Sequence, residues 1–442
     1  MSNKPKKSSV RHTRAVQRAQ SKRVTAGPSA ETVEQWLKDL IHPAVYTQLD
    51  LFRAMGLRAR VLTLPVMMAF VVSLIWRQIG AVGEAVRVLN QEGLLWVKPM
   101  PVSESAVVQR LNSLPARLFE NILKVVLPQM AARWGERTRP IPPAVAFVQQ
   151  HFSHVWVLDG STLDGLLRKT GLLREAAINP LAGRIAAVLD VVTRLPVRIW
   201  YEADDKAHDQ RFWLSVIDHL VAEVLLLFDS GFLNFEVFDQ LTLAKRWFVT
   251  RPKSNSVYQV TQVLRRTAQV HDYLIVLGGA KKHCQQPMRL VECLWHGKWY
   301  RYLTNVIDPS RLPPEVVLAL YAQRWHIEDA FNVVKRLLGL AYFWSGGLNA
   351  ILVQIWATWV LFAALVDLTD SVAQAMDLPF QAISMEMVFR GLYHFTQAYH
   401  RGEATDPVSY FVQHARLLGI VKRKRKTRSP VELLALTVPK LA

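Results

Sequence analysis

The sequence predicts a mixed α/β core set between two helical regions, and three observations predict it. Short β-branched runs recur at residues 154–158, 184–192, 197–201, 224–228 and 246–250, with helical stretches at 208–221 and 235–244 between them. The chain before residue 130 and after about residue 345 reads instead as helices. The segment 134–143, rich in proline and charge, separates the first helical region from the strands as a linker.

Taken in order, residues 1–30 form a basic tail and 31–133 a helical region, with helices expected at 33–40, 61–76, 103–111 and 115–127. Ser103 and Ser113 read as N-caps, and Pro115 suits a first helical turn. The pair 103–111 and 115–127 has the pattern of a DNA-reading helix-turn-helix, a pattern that antiparallel packing helices share. The linker extends over 134–150, and the core occupies 151–252 and 306–345. Between those core segments, 253–305 reads as a mainly β insertion with a helix at 259–266 and strands at 273–277, 288–294 and 298–303. His296-Gly297 suits a tight hairpin between the last two. A long helix at 313–338 returns to the core, 346–420 is helical, and 421–442 is a second basic tail.

Composition narrows the partners. Of 442 residues, 54 are Lys or Arg and 35 Asp or Glu, a formal charge of +19. Eight cations lie between Lys4 and Arg23 and six between Lys422 and Arg428, so about +5 remains for the middle of the chain. Basic ends on a nearly balanced body suit a polyanion, because each neutralised phosphate releases counterions. Cys284 and Cys293 are the only cysteines, so no disulfide framework holds the fold and a reducing compartment is expected. No apolar run follows the basic N-terminal stretch, which argues against a secretion signal. Residues 61–76 are too few to span a bilayer and contain Pro65, whereas 345–366 are long enough but carry Asn349, Gln354 and Thr358. Both read as buried helices, not membrane spans. A zinc site at His283, Cys284, Cys293 and His296 is an alternative, although the spacing is not that of a standard finger.

Two aspartates follow apolar runs, in Val155-Trp-Val-Leu-Asp159-Gly-Ser and Leu225-Leu-Leu-Phe-Asp229-Ser-Gly-Phe, where strand ends gather ligands and a small following residue admits close approach. Taken alone, each is equally a turn residue. The helix from Tyr321 to Lys335 adds a third acid. On a straight helix Tyr321, Arg324, Glu328 and Lys335 share one polar stripe, while Ile327, Phe331, Val334 and Leu338 keep the spacing of a buried face.

This helix resembles the Y-(2)-R-(3)-E-(6)-K signature of the IS4 family of DDE transposases. Leu158-Asp159-Gly-Ser-Thr162 is similar to that family's first-aspartate motif, and Phe228-Asp229-Ser-Gly-Phe232 to its D-R-G-[YF] motif, with Ser230 in place of the usual arginine. The resemblance covers roughly residues 150–345. It implies a ribonuclease-H-like core in which Asp159, Asp229 and Glu328 hold two Mg²⁺ ions, with Mn²⁺ as a substitute, and perform cleavage and strand transfer. It implies phosphate contacts from Tyr321, Arg324 and Lys335, a cut-and-paste route through a DNA hairpin, and a homodimer on double-stranded element ends and target DNA. Hairpin-forming relatives also stack a flipped base on a tryptophan of the insertion, for which Trp299 is the first candidate and Trp295 the second. The place of action so implied is the bacterial cytoplasm, at the nucleoid. A ribonuclease-H-like nuclease that only hydrolyses, and a DNA-binding protein without catalysis, are the readings that compete.

Overall fold

The computed structural model of the protein describes residues 31–163, 183–204, 208–340, 343–344 and 347–422. Both basic tails lie outside these residues, apart from Val421 and Lys422. The described residues open with six helices, α1 (Glu31–Tyr46), α2 (Leu49–Ala54), α3 (Leu64–Trp76), α4 (Val82–Gln91), α5 (Glu104–Ser113) and α6 (Arg117–Gly135). Ser103 caps α5 by accepting from Ala106 N, and Thr63 caps α3 ahead of Pro65. Ser113 does not cap α6. It is the last residue of α5, and the buried Ala116 N–H at the start of α6 donates instead to Asn349 Oδ1, 3.1 Å away. The expected linker is also partly helical, because Pro143 opens a short α7 (Pro143–Gln149).

Nine strands form one sheet in the order β3-β2-β1-β4-β5-β9-β8-β7-β6. Strands β1 (His154–Thr162), β4 (Val224–Phe228) and β5 (Trp247–Thr250) are parallel, and β2 (Arg184–Asp190) and β3 (Pro196–Glu202) add antiparallel on one side. Alternation along the strands sends Val155, Val157, Leu225 and Leu227 into the helical body, and Trp156, Leu158, Leu226 and Phe228 into an aromatic layer with Phe232, Phe238 and Phe248. Helix α8 (Trp213–Ile217), preceded by a 3₁₀ turn at Asp209–Phe212, and α9 (Phe235–Leu243) cover that second face. With both faces covered, all five residues of β4 are buried.

The insertion is a four-stranded antiparallel meander continuous with the core sheet: β6 (Tyr258–Arg266), β7 (Val270–Leu277), β8 (Met288–Trp295) and β9 (Lys298–Thr304). Residues 259–266 are therefore a strand, not the expected helix. Their charged, polar pattern hides the period because β6 is a mostly exposed edge strand with two bulges against β7. His296 and Gly297 have φ of 45° and 72°, the left-handed pair that a tight hairpin requires, and Trp295 faces Lys298 across it.

The returning helix is not one straight rod. It divides into α10 (Pro314–Ala322) and α11 (Trp325–Asn332), joined at Gln323-Arg324, and continues as a π-helical turn over Val333–Leu337. No proline or glycine marks the break. Helix α12 (Leu348–Ala375) then crosses the helical body, packed on α6, α3 and α5. It is long and apolar enough to cross a membrane, yet 94% of its most apolar window is buried in protein. Its last turns carry Asp367 and Asp370, which pair with Arg133, Arg137 and Arg139, and this polar clasp belongs to a protein core. The chain closes with α13 (Met385–His400), α14 (Pro407–Gln413) and α15 (Ala415–Leu418).

Candidate active site

The parallel pairing of β1 and β4 ends at Leu158↔Phe228, so the next residue of each strand is an aspartate, Asp159 and Asp229. The two acids leave adjacent strands at one sheet edge. Asp159 is not at the end of its own strand as the sequence suggested, because β1 continues to Thr162 against β2. Asp229 turns away at once, and its side chain accepts from Gly231 N at 2.7 Å to start a 3₁₀ turn.

Helix α11 lies across β1 and β2 and supplies the third acid. Arg324, at the joint between α10 and α11, bridges two of the carboxylates: Nη1 is 3.1 Å from Asp159 Oδ2, and Nη2 is 2.8 Å from Glu328 Oε1. Helical spacing alone predicts the second contact, whereas the first needs the joint to swing the guanidinium toward the sheet. Burial pushes the Asp159 carboxyl up to about 7; Arg324 opposes that rise, and Asp229 and Glu328 add to it by repulsion.

Tyr321 does not share the polar stripe. It is buried, its hydroxyl donates to the Phe228 carbonyl at 3.3 Å, and burial drives its pKa up to about 12. It braces the strand that delivers Asp229, and its ring lies beside the Arg324 guanidinium, 5.8 Å from that residue's Cζ. Lys335 donates to Ser161 Oγ on β1 at 2.6 Å, on the Glu328 side of α11. Trp299 is 38% exposed and stacks on His271 with ring centroids 4.3 Å apart. It sits five residues from Thr304, where β9 pairs with β5, or about 16 Å along the strand at the usual rise. Because β9 runs antiparallel to β5, that length carries Trp299 beyond the sheet edge from which the acids emerge. Trp295 is half-buried against the core.

Sequence reasoning missed a fourth acid. Asp209 is ion-paired with Arg184, and it lies between the backbones that carry the first two aspartates. A Cβ built on Gly160 would overlap Asp209 Oδ1, and one on Gly231 would come within 2.9 Å of both Asp209 Oδ2 and Asp229 Oδ1. Burial raises the Asp209 carboxyl, Arg184 lowers it and Asp229 raises it further. A cavity of about 410 Å³ opens beside it, lined by Arg184, His208 and Lys253 among others. The available signal was the glycine following or flanking each acid. Gly160→Ala is expected to cost about 1–3 kcal/mol, the range for overpacking a filled site, and to reduce activity by displacing Asp209. Thermal melting checks the first, and a variant as stable as the native protein would show that Asp209 does not pack there.

Among the described residues, no three His, Cys, Asp or Glu side chains group closely enough to hold one metal ion. At the three acids the Arg324 guanidinium stands between Asp159 and Glu328. The zinc alternative is also excluded as a described cluster: Cys284 faces the aromatic layer and Cys293 the helical body, on opposite sides of the sheet.

The chain is 31% identical over 148 residues to a putative transposase, y4zB, of Sinorhizobium fredii, covering 31% of this chain and 41% of that protein. It is 25% identical over 171 residues to a probable transposase for insertion sequence element IS5377 of Geobacillus stearothermophilus, covering 37% of this chain and 44% of that one. The chain thus spans less than half the length of these relatives. Residues 182–365 match the family described as the transposase DDE domain, a span that holds Asp229 and Glu328 and begins after Asp159. The chain is similar to transposases, and the similarity runs through the strands and helices that carry two of its three clustered acids.

Proposed function

We propose that this chain is a DNA transposase of an insertion sequence, which cuts the element's ends and joins them to target DNA. The observation that carries the reading is the meeting of Asp159 and Asp229 at one sheet edge with Glu328 tied in through Arg324, in a chain similar to transposases. The strand order β3-β2-β1-β4-β5, with only β2 antiparallel to both its neighbours, supports a ribonuclease-H-like core of the IS4 type.

The donor set suits hard divalent cations. Carboxylate oxygens are the ligands Mg²⁺ prefers, and Asp159 is held in a buried, mutually repelling group of acids that one guanidinium only partly offsets. Asp159, Asp229 and Glu328 would hold the Mg²⁺ ions once the Arg324 guanidinium leaves its place between Asp159 and Glu328, and bound metal would supply activation of the attacking oxygen and neutralisation of charge on the leaving one. Arg324 and Lys335 then serve as cations at the scissile phosphate, Arg by its planar fork and Lys as a point charge. Tyr321 acts as a positioning residue through the Phe228 carbonyl.

The test incubates the protein with Mg²⁺ and end-labelled duplex carrying the ends of the element that encodes it. Expected products are nicked ends, a hairpin where that route operates, and joined molecules, all abolished by chelation of the metal. Cut but never joined DNA would support the hydrolytic nuclease instead, and metal-independent cleavage would sink the assignment of the three acids.

A further inference from the structure

A second cavity, with charged side chains set among apolar ones, lies on the far side of α11 from Glu328. It encloses about 540 Å³ between the β2–β3 turn, α11 and the N-terminal end of α13. Its floor holds Arg194, only 7% exposed. Among the described residues that guanidinium makes one long hydrogen bond, 3.4 Å to Gln323 Oε1, and no ion pair. The same Gln323 oxygen also meets His326 Nε2 at 2.9 Å. A guanidinium carries five N–H donors, so most of the donors of Arg194 are left to the cavity. The backbone is strained to place it: Arg194 has a φ of 64°, a conformation that a bulky side chain adopts only when its surroundings impose it.

Asp190 and Asp329 attract Arg194 across the cavity without closing an ion pair on it. Asp190 Oδ1 accepts from Val192 N, Thr193 N and Thr193 Oγ1, and Glu386 is paired with Arg390 at 2.8 Å. Asp329 is largely exposed, 3.9 Å from a His326 that burial keeps neutral, and it attracts both Arg194 and Lys422. At the rim, Arg336 is exposed and Lys422 is pinned by its own N–H to the Ala382 carbonyl. Lys422 is also the first of the six cations that run to Arg428.

We propose that this cavity is a phosphate-binding site, taking a backbone phosphate of DNA, with Arg194 at its floor and Lys422 and Arg336 at its rim. A buried, underbonded cation is relieved by an anion that accepts several hydrogen bonds at once, and phosphate does so in the fork geometry of arginine. DNA is favoured over a free anion because Lys422 is the first of six cations in seven sequence positions, and each neutralised phosphate adds salt-dependent affinity. The assignment concerns binding alone, so its test is run in chelator, and a failure of the cleavage chemistry leaves it standing.

Two measurements compare the native protein with Arg194→Met and Lys422→Gln. In the first, thermal melting in inorganic phosphate is set against chloride at matched ionic strength. The native protein is expected to melt higher in phosphate, and both variants to lose that rise. Arg194→Met is expected to melt in chloride no lower than the native protein, because it removes a buried charge. In the second, anisotropy of a labelled 30-base-pair duplex is followed over a salt series. Each variant is expected to bind several-fold more weakly, with a salt slope reduced by about one, as for one lost phosphate contact. A phosphate response without any change in duplex binding would keep the phosphate site and overturn DNA as its occupant. Equal phosphate responses in the native protein and Lys422→Gln, or an Arg194→Met variant that melts lower in chloride with its response intact, would overturn the proposal.

Discussion

Asp159→Asn is expected to bind duplex DNA as the native protein does and to lose strand cleavage by about 10⁴-fold, the scale of removing one member of a catalytic unit. Stability is expected to hold. Burial has already pushed the Asp159 carboxyl up to about 7, so at neutral pH the folded protein without metal keeps much of that group protonated. Asparagine is close in shape to the protonated acid, and its side-chain oxygen remains able to accept from Arg324 Nη1. The same reasoning predicts that Mg²⁺ raises the melting temperature of the native protein, since a ligand that binds only the folded state stabilises it, and that the variant loses this rise. Glu328→Gln is expected to match it in cleavage. Its carboxylate is more exposed than that of Asp159, so a smaller loss of the metal-induced rise follows. Unchanged cleavage by either variant, measured on labelled duplex with Mg²⁺, would remove that residue from the mechanism.

The largest stability effect is expected away from the acids, at Asp272 and Arg289 in the insertion. Both are buried, Arg289 at 0% exposure, and they form a two-pronged pair: Nε to Oδ1 and Nη2 to Oδ2, each 2.7 Å. The remaining prong, Nη1, donates to the carbonyls of Val306 and Leu312 at 3.3 and 2.8 Å. One guanidinium therefore joins β7, β8 and the loop that leads into α10. Asp272→Ala strands that cation in the interior and is expected to cost about 3–5 kcal/mol, read as a drop in the urea midpoint with the slope unchanged. Replacing the pair together, Asp272→Leu with Arg289→Met, is expected to recover most of the loss, because burying two charges is itself costly. A single variant with native stability would show that the pair contributes nothing. Because α10 carries Tyr321 toward Phe228, the single variant is also expected to lower cleavage.

The features easiest to read in the sequence were those that local chemistry dictates. Asp159 and Asp229 stood out because each closes an apolar run, and the hairpin at His296-Gly297 because its two residues tolerate positive φ. The ion pair of Arg324 with Glu328 follows from helical spacing. Its reach to Asp159 does not, since that contact joins residues 165 positions apart on different elements. The burial of Tyr321, with its hydroxyl on the Phe228 carbonyl, was not legible in the spacing either. Strand β6 was misread because an exposed edge strand has no apolar face to reveal its period. Asp209 was invisible because it sits in a short 3₁₀ turn 50 residues from Asp159, and only the third dimension shows which glycines make room for it.

The clasp between Asp367, Asp370 and the arginines Arg133, Arg137 and Arg139 joins segments more than 200 residues apart. At ordinary synthesis rates of about 5–20 residues per second, helices α1 to α6 would leave the ribosome at least about 10 seconds before α12 arrives to cover them. Until then their apolar surfaces have only one another. Helices made earlier are thus covered by one made later, and a chain halted short of α12 would leave that apolar surface open to the solvent.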